Sequence, residues 1–183
     1  MRIPGPILGA LFASLILLIS APASAEVLFD STANPTFELD TVNASVRLRA
    51  SFTTNERPLH LSVLTLRWKR NLGQDGSIRI FLLDNKDGLP GAVLDDLATL
   101  DARGLTAGDQ WLAIPLKNAH ELKKNTRYWI EITSTGETGS MAYSRQHHGQ
   151  GVEAESYLNM YGLHRNTETG PYIFKLEGTQ TRP

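Results

Sequence analysis

The chain has 183 residues, 18 Lys+Arg against 19 Asp+Glu for a formal net charge of −1, and no cysteine. A near-neutral balance without a basic stripe argues against nucleic-acid binding by counterion release, and the missing cysteine excludes disulfides, thiolate metal sites and a thiol nucleophile. With 41% hydrophobic residues, the chain can bury one ordinary domain core without covalent staples.

Residues 1–6 carry one cation, Arg2, beside the free amine, and residues 7–20 form an apolar run without charge. Ala23-Ser24-Ala25 follows, a small-x-small pattern that predicts a signal peptide over 1–25, cleaved between Ala25 and Glu26. The run is short for a membrane span, which takes roughly 20 residues. Removing 25 of 183 residues leaves 158 and costs only Arg2 of the charged residues, so 17 cations face 19 anions for a net of −2. The ending Thr181-Arg182-Pro183 shows no hydrophobic tail. The expected product is secreted or periplasmic, a single domain over 26–183, off the membrane once the leader is cut.

The mature region reads as short strands. Residues 26–29 suit a first, edge strand. Residues 45–52 and Leu59-His60-Leu61-Ser62-Val63 alternate apolar and polar, the period of a half-buried strand. Leu64-Thr65-Leu66-Arg67-Trp68 continues with the phase flipped, which predicts a bulge or a strand crossing near Val63-Leu64. Residues 77–83 begin alternating and become wholly apolar, as in a central strand covered on both faces. Further strands are expected over 111–114, 128–132, 140–143, 157–161 and 172–176. Turn signals such as Asp87-Gly88, Pro90-Gly91 and Gly170-Pro171 separate them. This order predicts an all-β fold, an antiparallel, jelly-roll-like β-sandwich preceded by a signal-peptide helix. Val93, Leu94, Leu97 and Leu100 compete as a helix by spacing, and residues 119–124 as a single helical turn.

The series Leu64-Thr65-Leu66-Arg67, Ile78-Arg79-Ile80-Phe81-Leu82-Leu83-Asp84-Asn85, Gly88-Leu89-Pro90-Gly91, Leu122 and Asn125-Thr126-Arg127-Tyr128-Trp129-Ile130-Glu131-Ile132 resembles the extracellular modules called choice-of-anchor R domains. The resemblance covers roughly residues 52–132. It implies an exported bacterial β-sandwich and a strand rather than a helix over 92–100, and we adopt the strand. Surface tethering, common among such modules, does not carry over, because no tail is present to match.

Three places invite chemistry. Asp84, Asn85 and Asp87, followed by Gly88, suggest a calcium loop, but Leu83 and Leu94 stand where the first and closing carboxylates belong. The plainer reading is a hairpin turn, with no cofactor required. His147-His148 is a histidine pair without a third ligand at metal spacing. The richest patch runs from 141 to 161. If Leu158 and Met160 face the core, Tyr157, Asn159 and Tyr161 share the opposite face, beside Tyr143, Arg145 and His147. Tyrosine rings stack on sugar faces while Asn and Arg take hydroxyls, the anatomy of a small-molecule site. The plainer alternative is cross-strand aromatic packing. Trp68, Trp111 and Trp129 are expected in packing roles.

No nucleophile elbow, phosphate loop or dinucleotide fingerprint is present. The expected activity is therefore non-enzymatic binding of carbohydrate or another extracellular polymer. The alternative is a structural or adhesive envelope protein whose partner is an extracellular protein.

Overall fold

In the computed structural model the described residues are 25–34, 38–70, 75–117, 121–136, 138–143, 157–160 and 172–180, with 157–160 and 180 described by backbone alone. Residues 1–24 of the predicted leader, His147-His148 and Tyr161 lie outside them.

The strands are β1 (Ala25–Asp30), β2 (Glu38–Val42), β3 (Arg47–Thr53), β4 (Leu59–Arg70), β5 (Ser77–Lys86), β6 (Leu89–Asp101), β7 (Gly108–Pro115), β8 (Arg127–Ser134), β9 (Gly139–Tyr143), β10 (Tyr157–Met160) and β11 (Phe174–Gln180). They form two antiparallel sheets. One has five strands in the order β10-β3-β8-β5-β6; the other has six, β1-β11-β4-β9-β2, with β7 also paired to β4. The all-β sandwich expected from the sequence is the observed architecture. Its sole helical piece among the described residues is a 3₁₀ turn, Ala102–Gly104, capped by the Asp101 side chain.

Strand alternation builds the core. Ile78, Ile80 and Leu82 of β5, and Leu48, Ala50 and Phe52 of β3, are buried with Leu64, Leu66 and Trp68 of β4 between the sheets. The phase flip in β4 is a bulge: Glu177 pairs with Val63 but Gly178 with Leu61, so Ser62 is the extra residue. That device keeps both Leu59-Leu61 and Leu64-Leu66 on the buried side.

The residues with helical spacing also resolve as bulges. Ala98 pairs with Ile80 and Asp96 with Phe81, leaving Leu97 over; Asp95 pairs with Leu82 and Val93 with Leu83, leaving Leu94 over. Leu94, Leu97 and Leu100 thereby all pack on the main core from one strand. Around 119–124, Leu122 forms an isolated bridge with Leu59. Among the described residues, the second face of β5 carries a smaller cluster, Leu83 and Trp129 with partly buried Phe81 and Leu89.

Candidate functional site

The β5–β6 hairpin turns on Asp87-Gly88. Both residues have positive φ, 53° and 80°, and Lys86 pairs with Leu89 across them, the two-residue connection whose twist matches the flanking strands. Asp87 is thus used as a turn former. Asn85 is also engaged locally: its Oδ1 accepts the Trp129 indole N–H at 3.0 Å. Among the described residues no group of three or more His, Cys, Asp or Glu is placed to hold a metal ion.

Asp84 is different. It follows Ile78, Ile80 and Leu82 in the inward phase of β5, so a carboxylate occupies a core-side position where the sandwich opens at its end. Its Oδ1 is buried and has no hydrogen-bond partner. A side chain at Gly91 would collide with that same oxygen, so the bare backbone of β6 is what lets Asp84 sit there. Leaving a buried polar atom unpartnered costs about 1–3 kcal/mol. Asp84 lines a depression of about 470 Å³ together with Lys123, Asn125, Thr126, Arg127 and Leu94. The volume lies in the range of small-molecule sites, roughly 300–1,000 Å³. Register assembles the wall: Leu83 pairs with Trp129, so the ends of β5 and β8 meet here. Asn125 holds φ 49° in the turn before β8, and its backbone N–H donates to the Asn55 carbonyl at 2.9 Å. Thr54 Oγ1 pins the same turn by donating to the Lys123 carbonyl at 2.6 Å.

A second, smaller depression of about 280 Å³ lies on the outer face of the five-stranded sheet, between Arg47 and Arg79. On the outer face of the other sheet, Trp111 of β7 is 49% exposed. Arg67 sits directly opposite in register, 6.0 Å from the ring centre, and is held by both oxygens of Asp109. The hydrogen bond from Arg67 keeps the Asp109 carboxyl below the usual carboxylate range. The packing role expected of the tryptophans therefore holds for buried Trp68 and Trp129 but not for Trp111.

The aromatic face expected over 141–161 is not assembled by the described residues. Tyr143 is buried, edge-on to Tyr172 with ring centres 6.4 Å apart, and its hydroxyl donates to Glu38 Oε2 at 2.5 Å. The backbone register of β10 sets Tyr157 opposite Ala50 and Asn159 opposite Leu48, two core-side positions, and Leu158 and Met160 opposite Arg49 and Arg47. Arg145, His147 and Tyr161 lie outside the described residues. Ala25 and Glu26, the expected cleavage site, open β1 and pair with Thr179 and Gly178 of β11.

Neither a family model nor a curated protein matches this chain. Among solved structures it is similar to the clostridial cysteine protease Cwp84 after propeptide cleavage, with a TM-score of 0.61 and 9% identity over 86% of this chain and 40% of that one. A mutant VP2 protein of infectious bursal disease virus superposes with a TM-score of 0.32, at 14% identity over 97% of this chain and 40% of that one. The chain spans 40% of the length of each. The first likeness is one of fold. The sequence here contains no cysteine, so the nucleophile that defines a cysteine protease has no counterpart in it.

Proposed function

We propose that this protein is an exported, non-enzymatic binding module for carbohydrate, and that the saccharide enters the depression at Asp84. The observation that carries the reading is the Asp84 carboxylate. One oxygen is buried without a partner in the wall of a depression lined also by Lys123, Asn125, Thr126 and Arg127. Carboxylate and amide groups are planar and match pairs of sugar hydroxyls. A hydroxyl donor beside Asp84 would offset the desolvation of its charge, and Leu94 supplies an apolar wall. The leader pattern and the resemblance to exported sandwich modules support a secreted or periplasmic address.

Calorimetric titration with a panel of soluble oligosaccharides tests this. Binding that weakens at least ten-fold in both Asp84→Asn and Lys123→Ala, with unchanged melting temperatures, is the expected outcome. Binding indifferent to both substitutions removes the pocket, and hydrolysis of any panel member removes the passive role. The adhesive alternative draws its support from Trp111, exposed on β7 at the margin of its sheet. Self-association abolished by Trp111→Ala, without saccharide binding, would favour it.

A further inference from the structure

Arg47 and Arg79 are 32 positions apart in sequence, and the five-stranded sheet brings them to either side of one residue. Arg79 pairs with Thr133 of β8, and on the other side of β8 Leu48 pairs with Ile132, which sets Arg47 beside Thr133 as well. With strands about 4.8 Å apart, the two arginine backbones stand about 10 Å from each other across β8. Between them lies the depression of about 280 Å³, with Thr133, Glu131 and Phe81 in its wall.

Both arginines are held from below and open above. Arg79 rests on the Phe81 ring, 4.6 Å from its centre, and Nη2 donates to Asp96 Oδ2 at 2.8 Å. Arg47 Nη1 reaches Glu131 Oε1 at 3.4 Å. The Arg79 and Arg47 side chains remain 42% and 53% exposed. Glu131 does not cancel them, because Arg49 takes its other oxygen at 2.6 Å in a nearly buried pair. Arg47, Arg49 and Arg79 thus face Glu131 and Asp96, three positive charges against two negative. A guanidinium has five N–H donors in a planar fork that matches a carboxylate; here two such forks, each already oriented, flank one depression.

We infer that the Arg47–Arg79 depression is a carboxylate-binding subsite, and that the saccharide this protein takes carries uronic acid groups. The ligand class rests on the carbohydrate reading above, but the site is separate from the Asp84 pocket. Arg79 and Asp84 are five residues apart on β5, about 17 Å along the strand, and in opposite phases, Arg79 on the outer face and Asp84 on the core side.

The test is titration of the full chain with trigalacturonate and with neutral galactotriose. Trigalacturonate should bind more tightly than galactotriose, and the advantage should shrink as salt rises from about 50 to about 500 mM, because the partly exposed arginines are screened. Arg47→Ala/Arg79→Ala should weaken trigalacturonate at least ten-fold while leaving galactotriose unchanged. Arg79→Lys, which keeps the charge but loses the fork, should fall between. The thermal melt of each variant is the control for folding. Equal affinity for the two trisaccharides, or unchanged trigalacturonate binding in the double variant, overturns the subsite. Trigalacturonate binding that depends on the arginines but is indifferent to Asp84→Asn upholds the subsite and overturns the Asp84 pocket instead.

Discussion

Glu131 of β8 and Arg49 of β3 are direct cross-strand partners, and they join at 2.6 Å with their side chains 3% and 11% exposed. The pair lies on the outer face of the sheet, away from the main core.

Breaking this pair should cost more than removing it. A buried carboxylate stripped of its main partner is an uncompensated charge, typically about 3–5 kcal/mol. Arg49→Met is expected to destabilise near the lower end of that range, because Arg47 can still reach Glu131. Arg49→Met/Glu131→Leu should recover most of the loss. Urea denaturation of the two variants checks this; equal destabilisation would show that the loss comes from packing of the Arg49 stem and not from the charge.

Much of the fold is legible as alternation, and the places where it is not have identifiable causes. Ser62 betrays itself because a single inserted residue inverts the phase on either side of it. Leu94, Leu97 and Leu100 mimic a helix because two bulges in β6 return every third residue to the core. A spacing of three is then ambiguous until the hairpin partner is known. The β10 strand is harder still. It has four residues, alternating aromatic or amide with aliphatic, and neither phase is plainly hydrophobic. Its register against Ala50 and Leu48 is a tertiary fact. The Asp84 pocket left one trace in the sequence: a carboxylate in phase with Ile78, Ile80 and Leu82. Its other walls come from the turn and strand about forty residues later, which only strand pairing brings near.

Phe29 and Phe174 stack with ring centres 4.1 Å apart and planes 8° from parallel. Phe29 is wholly buried, and among the described strands β1 pairs only with β11, so this contact helps tie the first strand to the core. Phe29→Ala is expected to destabilise by about 3–5 kcal/mol and Phe29→Leu by clearly less. Amide hydrogen exchange should show β1 opening ahead of β5 and β8 in Phe29→Ala. Uniform exchange across the sheets would mean that β1 unfolds only with the whole domain.

The Asp87-Gly88 turn separates a conformational role from a metal-binding one. A Cβ at Gly88 meets nothing within 4 Å, so its φ of 80° is the obstacle to substitution. Gly88→Ala should cost about 1 kcal/mol. Asp87→Asn keeps a residue that tolerates positive φ and should be near neutral, whereas Asp87→Val should cost at least as much as Gly88→Ala. Thermal melts of the three variants with and without calcium settle the point. A calcium-dependent rise in the parent that Asp87→Asn abolishes would return the loop to the calcium reading.

Among the described residues, Asp101 beside Arg103 is a strongly shifted surface carboxyl. Arg103 donates from its side chain to both Asp101 oxygens, at 3.0 and 2.7 Å, and its backbone N–H adds a third bond at 2.9 Å. The side-chain hydrogen bond leads, and together these hold the Asp101 carboxyl at about 2 against an ordinary 3.8. A carboxylate whose folded value is depressed stabilises the fold above its unfolded value, and the contribution disappears as pH falls through the folded one. The stability that the cap on the 3₁₀ turn contributes should therefore be fully present above about pH 4 and lost progressively from there to about pH 2. Carboxyl carbon NMR should place the Asp101 midpoint at about 2 in the parent and return it towards 3.8 in Arg103→Ala. A midpoint that Arg103→Ala leaves in place would assign the shift to the remaining backbone bond. A parent midpoint at the ordinary 3.8 would show that water competes successfully for this exposed pair.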